Sequence, residues 1–233
     1  MSAVRGRIAR AGLAALGLLL VVGLIALGTW QIQRRAWKMD LIARVEAGRK
    51  ASPIPAPAAA GPNDAYRSIA ATGHYLPGAD SFVQASTIRG PGWWVVTPLK
   101  TDAGRTILVN RGYVSARHAA PVAPERVTVT GLLRLPEPGG GFLRRNDPAA
   151  DRWYSRDVAA IAARRALGPV APYFIDADGR GDRPGADQPI GGLTVVTFAN
   201  NHLVYAVTWY MLAAMTLAAL LFWRRAARRG GAR

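Results

Sequence analysis

The residue with the clearest capacity for ligand chemistry is a histidine that stands where an apolar segment begins. In NNHLVYAVTWYMLA, residues 200–213, His202 comes three residues before Tyr205 and seven before Trp209. At about 100° per residue, the three side chains share one side of a helix. A neutral imidazole is a suitable ligand for haem iron, and an aromatic ring two turns away can pack against the macrocycle. This spacing is therefore consistent with a site for a flat apolar cofactor.

The same stretch is also typical of a helix that starts at a membrane surface. In that interpretation Asn200 or Asn201 caps the helix, and His202 lies at headgroup level as an anchor. Local pattern alone leaves both interpretations open.

Other kinds of reactive site are disfavoured. The chain has no cysteine, which excludes thiol–disulfide exchange, covalent c-type haem attachment and cysteine-based copper transfer. No serine lies in a GxSxG or SxxK pattern, and neither His74 nor His118 has a partner at metal-ligand spacing. The Asp/Gly-rich stretch 176–187 matches a calcium loop poorly and is better interpreted as a polar turn. We therefore predict a protein that is not an enzyme.

Two uncharged apolar runs, at 11–30 and 203–223, are each long enough to cross about 30 Å of hydrocarbon as a helix. We interpret both as transmembrane helices. The first run has an alternative interpretation as a cleavable signal peptide, because a basic front precedes it and the small residues Ala26 and Gly28 lie near its end.

Charge predicts the orientation of the chain. All 14 acidic residues lie between the two runs, whereas every charged side chain in the tails at 1–10 and 224–233 is an arginine. By the positive-inside rule both tails are cytoplasmic, where they contact anionic membrane lipids, and the central region is exported. The net charge is +16, but the sequence contains no nucleic-acid-binding motif, so we expect no nucleic-acid partner.

The central region is predicted in three parts. Residues 31–50 continue the first span as an interfacial helical extension, and the Pro/Ala-rich residues 51–65 form an extended linker. Residues 66–199 form a β-rich domain. Its five β-branched or aromatic runs, separated by turn residues, are YRSIAATGHYL, FVQASTI, GWWVVTPLKT, RTILVNRGYV and RVTVTGLLR.

These runs predict a small antiparallel β-barrel or sandwich. A helix is expected near 155–167, with Ser155 as its N-cap and Gly168 after its end, and further strands at PYFIDAD and LTVVTF. The predicted fold class is a membrane protein with two transmembrane α-helices that flank an exported α+β domain.

Several stretches, in this order along the chain, resemble hallmarks of the Surfeit-locus family of cytochrome oxidase assembly proteins, called Shy in yeast. They are LGTWQIQRRAWKMDLI at 27–42, YRSIAATGHY at 66–75, GWWVVTPL at 92–99, ILVNRGYV at 107–114, GLLRLPE at 131–137, and PIGG followed by NNHLVYAVTWYMLA. The resemblance runs from about residue 20 to residue 225. One departure is Tyr113, where relatives often carry tryptophan.

The resemblance implies a role in assembling a haem–copper terminal oxidase by providing haem a to its subunit I. It implies haem A synthase and oxidase subunit I as partners. It also implies two haem-binding residues, His202 as an axial ligand of the haem iron and Trp209. Tyr205 lies on the same helix face. A non-haem-binding scaffold, which stabilises nascent oxidase subunits through the exported domain, is the alternative.

Two more residues are expected to contact the cofactor. Arg34 and Arg35 follow the first span near the outer surface, where their guanidinium groups can meet haem propionates. The short segment before the first span is typical of a bacterial member of the family. We therefore expect a multi-pass protein of the bacterial cytoplasmic (inner) membrane.

Overall fold

The computed structural model describes residues 2–141, 143–180, 185, 187–194 and 200–230. The chain divides into two compact units, and each is described by itself. Met1–Ala43 together with Thr197–Arg233 forms a helical unit, and Arg44–Val196 forms a β domain.

The described residues contain three α-helices, α1 (Ser2–Lys50), α2 (Val158–Arg164) and α3 (His202–Gly230). Two helical segments, Ala11–Lys50 in α1 and His202–Ala227 in α3, are long and apolar enough to cross a membrane. The predicted spans at 11–30 and 203–223 lie inside these segments. α1 continues without a break through the extension predicted at 31–50.

Within the helical unit, α1 and α3 pack side by side in opposite directions. Val21 and Leu24 of α1 are buried with Ala213 of α3. Nearer the start of α3, Tyr210 lies against α1, and its hydroxyl is 3.1 Å from the hydroxyl of Thr29. A Cβ on Gly28 would lie 2.8 Å from the Tyr210 ring, so this close approach requires glycine.

In its described residues the β domain has nine strands. They are β1 (Ile54–Pro55), β2 (Ser68–Tyr75), β3 (Ser81–Thr87), β4 (Gly90–Thr101), β5 (Thr106–Val114), β6 (Val127–Arg134), β7 (Gly140–Gly141), β8 (Arg144–Arg145) and β9 (Val170–Ala177). All five predicted runs from YRSIAATGHYL to RVTVTGLLR form strands, as does PYFIDAD. The strand predicted at LTVVTF is residues 193–198, of which 195–198 lie outside the described residues.

The main sheet closes into a barrel. Its strand order is β1-β2-β6-β9-β5-β4-β3, and the end of β2 also pairs with β4, from Gly73 opposite Thr101 to Tyr75 opposite Leu99. This pairing completes a ring of five strands, β2-β6-β9-β5-β4. Of the two predicted architectures, the barrel is therefore the one that forms.

The predicted antiparallel pairing holds among β2–β6, but the barrel also contains a parallel pair. β9 runs parallel to β5, with Leu108 opposite Phe174, and antiparallel to β6 on its other side. β9 follows helix α2, and a crossover of this kind lets the chain return to a sheet in the same direction as an earlier strand.

Part of the segment expected as a linker at 51–65 belongs to the sheet. Ile54 and Pro55 form the edge strand β1, which runs parallel to β2, and Ile54, Ala56 and Ala60 pack against the barrel core. Proline is tolerated here because an edge strand has one side without ladder hydrogen bonds.

Two clusters of buried side chains form the hydrophobic core of the domain. One fills the barrel, where Tyr173 donates a 2.6 Å hydrogen bond from its hydroxyl to the Pro57 carbonyl. The other lies between the sheet and α2. The largest fully buried members of the two clusters are Ile69, Leu99, Ile107, Leu133, Tyr173 and Ile175 in the first, and Leu108, Trp153, Ile161 and Phe174 in the second.

Helix α2 begins two residues later than predicted. Asp157, not Ser155, is its N-cap and accepts a hydrogen bond from the Ala160 amide. Ser155 instead donates its hydroxyl proton to the Glu137 carbonyl over 2.6 Å. Both residue types cap helices well, so local sequence could not separate them. The helix ends at Arg164, and Gly168 follows with a φ of +68°.

Candidate functional site

His202 is the first residue of α3, and its side chain is hydrogen bonded to α1. Its Nδ1 lies 2.7 Å from Oε1 of Gln31. A carboxamide oxygen only accepts hydrogen bonds, so the imidazole donates from Nδ1. The lone pair of the neutral ring is then on Nε2, the nitrogen that can bind a metal ion.

The other two predicted residues of this face have different surroundings. Trp209 is partly buried against the α1–α3 contact that contains Val21 and Leu24. Tyr205, by contrast, is 54% exposed on the surface of the helical unit. All three residues lie within the continuous helix α3, as the predicted helical spacing requires.

Arg34 and Arg35 lie three and four residues after Gln31 on α1, which is about one helical turn. Residues at these spacings share a face of a helix, so both arginines lie on the side of α1 that carries Gln31. Both are exposed, and the guanidinium carbon of Arg34 is 4.1 Å from the centre of the Trp37 ring. Such a stacked guanidinium keeps its edge N–H groups available to an anion.

The residues of the helical unit fit a haem by their chemistry. The site offers an imidazole with an oriented lone pair, aromatic rings, apolar helix surface and two cations on the Gln31 side of α1. Within the described part of the chain, no three His, Cys, Asp or Glu side chains form another metal site. Asp176 and Asp178, the first two positions of the calcium-like stretch, bond arginines instead.

A cavity of about 430 Å³ lies on the barrel of the β domain. Its lining includes Arg111, Glu125 and Asp178, so charges of both signs surround it. This polar lining does not match the apolar ring of a haem. The candidate haem site therefore belongs to the helical unit.

A buried charge network, which we define as Asp176, Arg134, Arg156 and Glu137, was not predicted from the sequence. Asp176 in β9 is only 2% exposed. Its carboxylate accepts hydrogen bonds from Arg134 at 2.7 Å and Arg156 at 3.1 Å, and also from Asn110 and Thr194.

Glu137 completes this network at its more exposed side. Its carboxylate accepts hydrogen bonds from Arg156, at 2.7 and 3.1 Å, and from Arg134 at 3.2 Å. Two arginines thus share two carboxylates, and the charges balance. The sequence did contain a sign of this network, namely a charged residue inside each of two apolar strand patterns: Arg134 in GLLRLPE and Asp176 in PYFIDAD. Charged side chains are rarely buried in such strands unless they are paired.

The network makes the stability of the β domain sensitive to acid. Burial by itself raises the pKa of Glu137, but the hydrogen bonds and charge of Arg156 outweigh it, so the pKa lies below the ordinary value. A carboxylate with a depressed folded-state pKa stabilises the fold above its unfolded pKa of about 4.3, and this contribution is lost as the pH falls through the folded value. We expect the melting temperature to fall with acidification below about pH 4.5, and less steeply in Glu137→Gln. Equal slopes in thermal scans from pH 3 to 7 would contradict this assignment.

Comparison with known proteins identifies the family. The model of the SURF1 family matches residues 18–214. Surfeit locus protein 1 from Rattus norvegicus is 38% identical over 227 residues, covering 87% of this chain and 72% of the relative. The Homo sapiens protein of the same name is 38% identical over 224 residues, covering 85% and 73%.

A more distant relative is also similar over most of the chain. Cytochrome oxidase assembly protein SHY1 from Saccharomyces cerevisiae is 26% identical over 297 residues, covering 93% of this chain and 76% of the relative. The region that the family model matches, residues 18–214, includes the barrel, α1 from residue 18 and the first part of α3 with His202 and Trp209. The chain belongs to the SURF1 family.

Proposed function

We propose that this protein is an assembly factor for a haem–copper terminal oxidase, which binds haem a in the membrane and supports its insertion into subunit I. It acts as a carrier and not as an enzyme. The observation that carries this proposal is the imidazole of His202, whose Nδ1 is 2.7 Å from Gln31 and whose Nε2 is thereby presented as a ligand. The name of the yeast relative, a cytochrome oxidase assembly protein, supports the pathway.

The physical properties of haem a favour a carrier within the membrane. Its isoprenoid tail is apolar, and burying such a chain is worth about 0.8 kcal/mol per CH₂, on the order of ten kcal/mol in total. Passage through water would forfeit this stabilisation. A membrane-level site with one histidine ligand holds haem less firmly than two axial ligands would, which suits delivery to another protein.

The proposed site assigns a role to each residue of the helical unit. His202 ligates the haem iron, and Trp209 and Tyr205 contact the macrocycle. Arg34 and Arg35 bind the propionates through charge-assisted hydrogen bonds. Haem A synthase is the proposed donor and subunit I the acceptor of the cargo.

We place the protein in the bacterial cytoplasmic membrane, with α1 and α3 as spans, both termini cytoplasmic and the β domain exported. The two helical segments at Ala11–Lys50 and His202–Ala227 support two spans. The arginine-rich tails support the orientation through the positive-inside rule.

The proposal is tested by the visible spectrum of the purified protein. The full chain is expressed in a host that makes haem A and purified in mild detergent beside His202→Ala. We expect a haem a spectrum in the parent and its loss in the variant, because the variant lacks the iron ligand. A parent without haem a, or a variant with the parent's spectrum, would contradict haem carriage by His202.

The scaffold alternative has an observation of its own. Ile88, between β3 and β4, is 86% exposed, and Leu143, between β7 and β8, is 89% exposed. Contact with an oxidase subunit would remove these two apolar side chains from water, which is favourable. A colourless parent that still restores oxidase assembly, together with loss of rescue in an Ile88→Ser, Leu143→Ser double variant, would favour the scaffold.

A further inference from the structure

We propose that Gln31 is a positioning residue for the haem ligand: its carboxamide oxygen holds the His202 ring in one tautomer and orientation, so that Nε2 is the ligating atom. The inference rests on the proposed function. In this inference Gln31 acts on the haem through the imidazole of His202.

The geometry supports this role directly. The distance of 2.7 Å between His202 Nδ1 and Gln31 Oε1 is that of a short N–H···O hydrogen bond. Both side chains are partly buried, which reduces competition from water. Because the acceptor is a carboxamide oxygen, only the Nδ1–H tautomer satisfies the bond.

The acceptor is held on a packed part of the helical unit. One turn earlier on α1, Gly28 allows the Tyr210 ring to lie against the helix, and the Thr29 hydroxyl is 3.1 Å from that of Tyr210. Two to three turns before Gln31, Val21 and Leu24 of α1 pack against Ala213 of α3. The packing of α1 against α3 therefore restrains the backbone that carries Gln31.

The identity of the acceptor sets how strongly the imidazole binds iron. Ligating histidines commonly donate their second N–H to a carboxylate or carbonyl oxygen, which raises ligand basicity. A neutral carboxamide polarises the ring less than a carboxylate does. Glutamine at this position therefore gives an oriented ligand of moderate strength, as a protein that must release its cargo requires.

The test compares Gln31→Leu and Gln31→Glu with the parent, and uses Gln33→Leu as matched control, since Gln33 is an exposed glutamine of the same helix. Full-length proteins in detergent are titrated with haem a. The iron–histidine stretching frequency of the ferrous complex is measured by resonance Raman spectroscopy, because it reports the hydrogen bond at Nδ1 independently of assembly activity.

We expect Gln31→Leu to weaken haem a binding by about 10–100-fold and to lower the iron–histidine frequency. Gln31→Glu should retain binding and raise the frequency, since a carboxylate is the stronger acceptor. Gln33→Leu should match the parent in both measurements.

Parent-like affinity and frequency in Gln31→Leu would overturn the inference while leaving the proposed function intact. Weaker binding with an unchanged frequency would also overturn it, because Gln31 would then only join the two helices. If Gln31→Leu does not fold, the frequency of Gln31→Glu decides. A parent that binds no haem a would overturn the inference and the proposed function together.

Discussion

Replacing Asp176 by alanine is expected to destabilise the β domain by about 3–5 kcal/mol, a large part of the stability of a domain this size. The substitution removes one of the two carboxylates that Arg134 and Arg156 share, which leaves one buried positive charge in excess, and Asn110 loses a buried acceptor 2.7 Å away. Uncompensated buried charge is among the most costly changes in a protein interior. Hydrogen exchange of the full chain should show faster exchange in β5, β6 and β9, the strands that surround Asp176.

Asp178 provides the matched control, because it lies two residues further along the same chain. Its carboxylate pairs with exposed Arg180 and accepts a hydrogen bond from Thr130. An ion pair near the surface contributes about 0–1 kcal/mol, so Asp178→Ala should change stability little. Equal effects of the two substitutions would mean that the network does not support the barrel.

Gly73→Ala is expected to weaken barrel closure and to cost about 1–3 kcal/mol or more. Gly73 lies where β2 leaves β6 and pairs with β4, and a Cβ there would overlap with the carbonyl oxygen of Lys100. Because the obstacle is backbone, a rotamer change cannot relieve it, and β2 and β4 must separate. Denaturant unfolding would measure the loss, and hydrogen exchange should localise it to the β2–β4 pairing.

Gly61→Ala is the control for the general effect of replacing glycine. Gly61 has a φ of −117°, and the nearest atom to an added Cβ is 4.0 Å away. Alanine fits there and restricts the unfolded chain, so stability should stay the same or rise by up to about 1 kcal/mol. If Gly73→Ala were equally harmless, the β2–β4 contact could not be tight.

The strands were predictable because their signal is local. Runs such as RTILVNRGYV combine β-branched residues with turn residues on each side, and the structure has β5 at this position. The pairing of β9 with β5 was not predictable, since it joins residues more than 60 positions apart. β1 was missed because the Pro/Ala-rich stretch around it resembles a linker, and only its pairing with β2 makes it a strand.

The helical placement of the candidate residues was predictable to the same degree. The spacing of His202 and Trp209 and the resemblance of the surrounding stretch identified the helix face. Gln31 could not be identified this way, because its contact with His202 depends on how α1 and α3 pack. The buried charge network shows the same limit. Arg134 and Glu137 lie in the stretch GLLRLPE, but Asp176, which Arg134 contacts, is about 40 residues away.

The place of β9 in the barrel has a consequence for biogenesis. Among the described residues β9 is the last strand of the sheet along the chain, yet it lies between β6 and β5, which are synthesised earlier. Until β9 emerges, those two strands expose hydrogen-bonding edges that invite aggregation. Closure of the ring must wait for nearly the whole domain, and such long-range pairing is intrinsically slow. A nascent chain interrupted before Val170 therefore presents unpaired β5 and β6 edges to chaperones and proteases.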